Sequence, residues 1–460
     1  MSAETTDIPK KGFSLNEITS DLINPVRDEK FRNKLWTRLL VFIIVVGLMA
    51  YIYQLFTGLG VTAMRDYSSW GMYIGHFVFL VAVSLVGSLV TAILKLLNIK
   101  WARPITRISE IIAVAAVALA AMTIIVDMGR PDRVLNIFLH GRIQSPIVWD
   151  VTVVNMYLLI SIILLYLPMI PDIAIMRDTL TDRPKWQRKM YDLLSLNWKG
   201  TDEQWKLLKR AIHIMLIVIM PVAFAIHTVT SWLFAVNSRA GWDSTIFGPY
   251  FVSGAFMVGA AAVIAAMYIF VKSRPAYKKY ITKKHFDMMG RLLFLTGIVY
   301  FYFNINEYLV PGYKMQKLEG QHLMDLFTGH EAPLFWATQI GGLILPLILL
   351  LLKPFRKPLP IFIISIAVIF FAWTKRMLIV IPTQFTPTLP IQNVPESWHH
   401  YVPTYYEIAI TSMTIAIVLL IITWFTKFFP IIPVWEMAKD NGHKNPHEKV
   451  MLEDIDKEKK

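Results

Sequence analysis

Residues 127–150 read DMGRPDRVLNIFLHGRIQSPIVWD and crowd Asp127, Arg130, Asp132, Arg133, His140, Arg142 and Asp150 into one connection between two long apolar segments. Histidine exchanges protons near neutral pH, and burial lifts a carboxyl toward the same range. Side chains of these two kinds can take protons from a bound substrate. His140 and Asp150 are the leading proton acceptors on this criterion, with Asp127, His76 and His227 behind them. Trp70, Tyr73 and Trp149 offer flat aromatic walls, and Arg130 and Arg133 stand where they could keep Asp127 or Asp132 ionised. Each group also has a plainer reading. Pro131 and the Arg–Asp pairs could simply close a turn, and His76 and His227 could hydrogen-bond across helices. Trp70 and Tyr73 could be interface anchors, and the helix dipole favours a carboxylate near an N-terminus, as at Asp150.

The elements that must position these groups are membrane helices. The chain has 460 residues, 55% hydrophobic and 17% charged, against roughly 25% charged in soluble domains. Apolar runs of about 20 residues, the length that crosses a bilayer as a helix, recur throughout. The alternating segments of a membrane barrel do not. An all-α polytopic membrane protein is predicted, with ten spans near residues 37–58, 69–95, 105–126, 147–170, 208–235, 247–271, 287–309, 333–352, 359–381 and 404–428. Lysine and arginine gather in alternate connections, which places both termini in the cytoplasm and residues 127–150 outside. The net charge of +14 is thus assigned to membrane orientation and not to nucleic-acid binding. The absence of cysteine excludes thiolate-held iron–sulfur clusters, CxxCH haem attachment and disulfides within this chain. The polar opening residues predict no cleavable signal peptide, with the first apolar run as an uncleaved insertion signal.

In the 172–207 loop, Thr201 and Gln204 fit a capping box for a short helix, and Trp198 and Trp205 beside lysines assign that helix to the membrane surface. The charged chain after Pro433 is expected to be solvated or partner-bound. Trp70-Gly71-x-Tyr73 and Phe247-Gly248-x-Tyr250 open two spans in the same way, which predicts parallel repeats. The chain then divides into a tail (1–36), a flanking helix and outer loop (37–68), a first four-helix bundle bearing the site (69–235), a second bundle (236–381), an outer loop with the last helix (382–428) and a second tail (429–460).

At about 1.5 Å per residue, His76 lies about 9 Å below the outer end, Asp127 and Asp150 at that end, and His227 above the midplane. The inner third of the same helices supplies only Glu110 and His213. Such a bias suits a quinol, which needs an apolar slot, partners for two hydroxyls and a base for each proton. A b-type haem is not expected: His213 and His227 share a face at two depths, but only His76 stands opposite. No metal site is expected. In the second half, Glu307, Lys375 and Arg376, with Arg291 and Glu407, suit proton conduction or helix-end anchoring. The Pro- and aromatic-rich connection holding His399 and His400 reads as a partner surface or lid.

SSWGMYIGHFVFLV and DMGRPDRVLNIFLHGRIQSPIVWDV resemble the NrfD/PsrC family of polysulfide reductase membrane subunits, most closely its ActC branch from bacterial alternative complex III. The resemblance covers nearly all ten spans. It implies two four-helix bundles with a flanking helix at each end, in a multi-pass protein of the bacterial inner membrane. It implies no haem or iron–sulfur cluster in this chain, and quinol, commonly menaquinol, oxidised in the first bundle near the periplasmic face. Electrons would pass to an iron–sulfur subunit docked there and on to haem c subunits, beside a second NrfD-like membrane subunit. The loop histidine would be His140 and the helix-four carboxylate Asp150, with proton translocation as a further expectation. The competing class is a secondary transporter, whose site should lie at the midplane between broken helices. The outward bias of the polar groups favours the redox reading.

Overall fold

The computed structural model describes residues 13–27, 34–389 and 391–443, and no strand occurs among them. Helix α1 (Leu15–Arg27) precedes α2 (Lys34–Thr57), α3 (Met72–Leu96) and α4 (Arg103–Asp127). The short α5 (Asn136–Leu139) sits on the connection to α6 (Pro146–Tyr166), which runs through one tight turn into α7 (Ile170–Thr179). After α8 (Lys185–Leu194) come α9 (Asp202–Ala235), α10 (Phe247–Ser273) and α11 (Lys283–Lys314). The remainder is α12 (Lys317–Phe327), α13 (Ala332–Gln339), α14 (Leu345–Leu351), α15 (Pro358–Val380), α16 (Tyr405–Phe428) and α17 (Val434–Asp440). Nine helical stretches among the described residues are long and apolar enough to cross a membrane, and α3 contributes the apolar stretch Met72–Leu85. The ten expected spans fall on α2, α3, α4, α6, α9, α10, α11, the α13–α14 pair, α15 and α16.

α3 packs on α4, α9 and α10; α6 packs on α4 and α9; α10 packs on α11 and α15; and α16 lies along α2 and α4. In a membrane such contacts rest on close packing of small residues. At Gly87 a Cβ would stand 2.1 Å from the Ser109 carbonyl oxygen, so only glycine lets α3 and α4 approach this closely. Between α13 and α14 the helix widens into a π turn over Ile340–Ile344. Pro346 lacks an N–H and its ring would strike the carbonyl four residues back. An extra residue in that turn removes the clash, and Gly341 and Gly342 rest on Phe371.

The end of the molecule that carries α1 and α17, here called proximal, departs from the sequence expectation. The Thr201 capping box is present, with Thr201 Oγ1 accepting the Gln204 N–H at 3.3 Å, but it opens no separate short helix. It starts the 34-residue α9, because no glycine or proline interrupts the chain before Pro221. Trp198 and Trp205 are buried and form an aromatic cluster with Trp435, at centroid distances of 5.1 and 5.3 Å. They are not laid on a membrane surface. The segment after Pro433 is not solvated over its described part: Asp172 accepts the Val434 and Trp435 N–H groups at 3.0 and 2.9 Å. The same carboxylate pairs with Arg107 at 2.7 Å, both side chains about 1% exposed. Arg107 also donates to the Pro430 and Pro168 carbonyls, and Lys95 pairs with Glu110 at 2.9 Å. The tail 1–36 contributes α1, whose Ile18, Leu22 and Ile23 are buried; residues 444–460 lie outside the described residues.

Removing one partner of a buried ion pair strands the other charge. Asp172→Ala is expected to destabilise the protein by about 3–5 kcal/mol in denaturant unfolding in detergent. It should also expose residues 429–443 to protease. Unchanged protection there would show that the pair does not hold the C-terminal segment.

Candidate functional site

Ser145 and Pro146 start α6, proline serving well at a first helical position where an N–H would be unpaired anyway. This places Asp150 in the second turn, where it caps nothing. Its side chain turns inward: Asp150 is 2% exposed and accepts the Thr230 hydroxyl of α9 at 2.5 Å. No ion pair reaches it among the described residues. His227 lies three residues before Thr230 on the same face of α9, about 4.5 Å deeper. Its Nδ1–H donates to the Ala223 carbonyl at 3.1 Å, which leaves Nε2 as an acceptor, and that atom is buried without a partner. Arg376 on α15 lies within electrostatic reach of His227, and its Nη1 is buried and unpartnered too. At the distal end of α6 and α9, Trp149 sits edge-on to Trp232 at 6.3 Å and donates from Nε1 to the Ile143 carbonyl. The connection is thereby pinned over the helix pair. His140 caps α5 and is exposed; no hydrogen bond joins it to Asp150 among the described residues.

The other expected site residues belong to separate groups. Tyr73 is buried and donates to Gln54 Oε1 of α2 at 2.7 Å, and Gln54 Nε2 donates to the Val126 carbonyl at 3.0 Å. Asp127, the last residue of α4, lies near this knot with its Oδ1 buried and unpartnered. Glu407 closes the capping box of α16 and accepts the N–H of Thr404 at 2.9 Å, the N–H of Ala63 at 2.8 Å and the Tyr401 hydroxyl. It therefore sits with α2 and the start of α3, apart from Glu307 and Lys375. Trp70 hydrogen-bonds through its backbone to Gln384 and stacks on Trp242 at 5.5 Å. His76 accepts the Trp373 Nε1–H at Nδ1 (3.2 Å), so its Nε2–H donates to Thr414 Oγ1 (2.8 Å). Both ring nitrogens are used, as in the interhelical reading. Arg130 pairs with Asp132 through two bonds of 3.0 and 2.9 Å and holds that carboxyl below its usual range. It makes no such bond to Asp127.

In the second half, Glu307 accepts the Ser244 hydroxyl at 2.9 Å. Lys375 donates to the Tyr308 hydroxyl and lies over the Tyr308 and Phe335 rings. Arg376 lies over Phe251 at 4.7 Å. A cavity of about 30 Å³ opens beside Glu307, His322 and Thr383, enough for one or two waters. Burial, with Lys375 nearby, brings His322 down to about 4, so this imidazole is neutral at pH 7. A polar chain Tyr300–Tyr250–Asn304–Gln339, with bonds of 3.2, 3.0 and 2.9 Å, crosses the interior. Sequence reading missed Thr230, Gln54, Tyr401 and this chain. Thr230 was detectable as a hydroxyl one turn from His227; the others are common residue types whose role appears only once helices distant in sequence meet. Among the described residues no group of three or more potential ligands could hold a metal ion.

A family model described as polysulphide reductase, NrfD, matches residues 60–388. The membrane-anchoring chain of a provisionally assigned dimethyl sulfoxide reductase from Halobacterium salinarum is 29% identical over 50% of this chain and 50% of its own length. The match thus spans only half of that relative. A selenate reductase subunit from Mesobacillus selenatarsenatis is 23% identical over 88% of this chain and 96% of its own length. The integral membrane subunit of menaquinone reductase from Nitratidesulfovibrio vulgaris is 22% identical over 84% and 89%.

His76→Phe keeps the volume but strands Trp373 and Thr414. A loss of about 1–3 kcal/mol in stability is expected, read as a lower unfolding temperature in detergent. An unchanged temperature would show that the bonds of His76 do not hold α3 to α15 and α16.

Proposed function

Because the chain belongs to the NrfD polysulphide reductase family, we propose that it is the quinone-reactive membrane subunit of a respiratory redox complex. It exchanges two electrons and two protons with quinol near the distal end of α6 and α9. The observation that carries this reading is Asp150: a buried carboxylate held by one hydroxyl, one turn from an imidazole nitrogen with an unused lone pair. The quinol hydroxyls donate to Asp150 and to His227 Nε2. As the electron pair leaves, both protons move onto these groups and the ring becomes the quinone. The acceptor is an iron–sulfur cluster of a partner subunit at the periplasmic face. Thr230 orients Asp150, Trp149 walls the ring, and the exposed His140 relays protons to water.

The N. vulgaris relative, named as a menaquinone reductase, supports menaquinone as the ring. It also supports the reverse direction for the same groups, with protonated Asp150 as donor. The long motif through residues 127–151 supports oxidation within alternative complex III in a bacterial inner membrane, with haem c subunits and a second NrfD-like subunit. Glu307, Lys375 and Arg376 form the proton route of the second half. Glu407 is left out of it, because capping bonds occupy its carboxylate.

General acid–base catalysis contributes about 10²–10⁴-fold. In the assembled complex, Asp150→Asn is expected to lower kcat for menaquinol oxidation by roughly 10²-fold, and His140→Ala by less. Unchanged rates in both variants would remove the site from α6 and α9. If Asp150→Asn impaired only quinone reduction, the direction would be reversed. Solute transport by vesicles containing this chain alone would favour a transporter instead.

A further inference from the structure

α2 and α16 lie antiparallel and in close contact. A Cβ at Gly47 would stand 2.3 Å from Met413 Cβ, and Trp36 Nε1 donates to Thr423 Oγ1 at 3.3 Å. At their proximal ends the two helices part around a groove of about 520 Å³, lined by Lys34, Thr37, Arg38, Val41, Phe42 and Lys427. Three cationic side chains line one part of it and no carboxylate does. Along α2, Lys34, Arg38, Val41 and Val45 recur at helical spacing, so one helix face passes from charged to apolar within three turns. Val41, Phe42 and Val45 are 43%, 64% and 46% exposed, an apolar surface that suits lipid. Trp36 and Trp424, also exposed, flank the groove at the level where tryptophan rings gather between hydrocarbon and headgroups.

We propose that this groove holds an anionic phospholipid of the bilayer, with its phosphate among Lys34, Arg38 and Lys427 and an acyl chain along Val41 and Phe42. Charge complementarity selects this occupant: a guanidinium and ammonium groups bind phosphate oxygens directly, and a zwitterionic headgroup would bring its own cation into a positive site. Basic pockets between membrane helices suit such headgroups. Three cations match a two-phosphate lipid of the cardiolipin type better than a single phosphodiester.

The test is native mass spectrometry of the purified full-length chain. The delipidated protein is offered cardiolipin, phosphatidylglycerol, phosphatidylcholine or inorganic phosphate. About tenfold greater retention of cardiolipin than of phosphatidylcholine is expected, with phosphatidylglycerol between them. The combined Lys34→Gln, Arg38→Gln and Lys427→Gln variant should lose that preference. Arg188→Gln with Lys189→Gln, exposed on α8, removes charge elsewhere and should keep it. If the triple variant does not fold, Arg38→Gln alone should reduce retention of cardiolipin. Equal retention of all lipids, an undiminished preference in the groove variants, equal loss in the α8 control, or displacement of bound lipid by equimolar inorganic phosphate would each overturn the proposal.

Discussion

A charge inside an apolar helix bundle must be paired, hydrogen-bonded or neutralised by a proton, and this requirement sorts the ionisable residues of the protein into two kinds. In the first kind the demand is met locally. Asp172 has Arg107 and two backbone N–H groups, Glu407 has two N–H groups and a phenol, and Glu110 has Lys95. In the second kind it is not met. Asp150 has one hydroxyl, and His227 Nε2, Asp127 Oδ1 and Arg376 Nη1 are buried with no partner. Residues of the first kind hold helices and termini together. Those of the second kind have capacity left for a ligand or a proton, and the proposed chemistry rests on them.

His76 and His227 show how the same residue type divides. Both are buried and both lie in apolar spans. His76 meets Trp373 and Thr414, and both of its nitrogens are occupied. His227 meets only the carbonyl one turn back on its own helix. The difference comes from α15 and α16, more than 290 residues away in sequence from His76, and no local pattern could encode it. The positions of the spans were legible because hydropathy and length suffice for them. Asp150 was legible because a carboxylate in an apolar run is costly. The separation of Asp127, Tyr73 and Glu407 from Asp150 was not, because depth along a helix can be counted from sequence whereas its rotation toward a neighbour cannot.

The two ends of the molecule differ in the same terms. Proximally, α1 and α17 bring apolar residues and backbone donors under the helix ends, with Ile431, Ile432 and Val434 fully buried. Distally, α5 and its flanks leave Leu135, Phe138, Leu139 and Ile143 exposed beside His140. A proton taken up at Asp150 has a short way out on the distal side, whereas proximally it would have to cross a packed, ion-paired floor. This asymmetry would give the proposed reaction its sidedness.

The central claim is that a quinone ring lies between α6 and the distal half of α9. An azido-substituted menaquinone, photoactivated in the assembled complex and mapped by peptide mass spectrometry, tests it most directly. Labelling on residues of α6 and α9 around Asp150 and Thr230, suppressed by excess menaquinone, is the result the account predicts. Labelling confined to the second half, around Glu307 and His322, or labelling that excess menaquinone does not suppress, would contradict it.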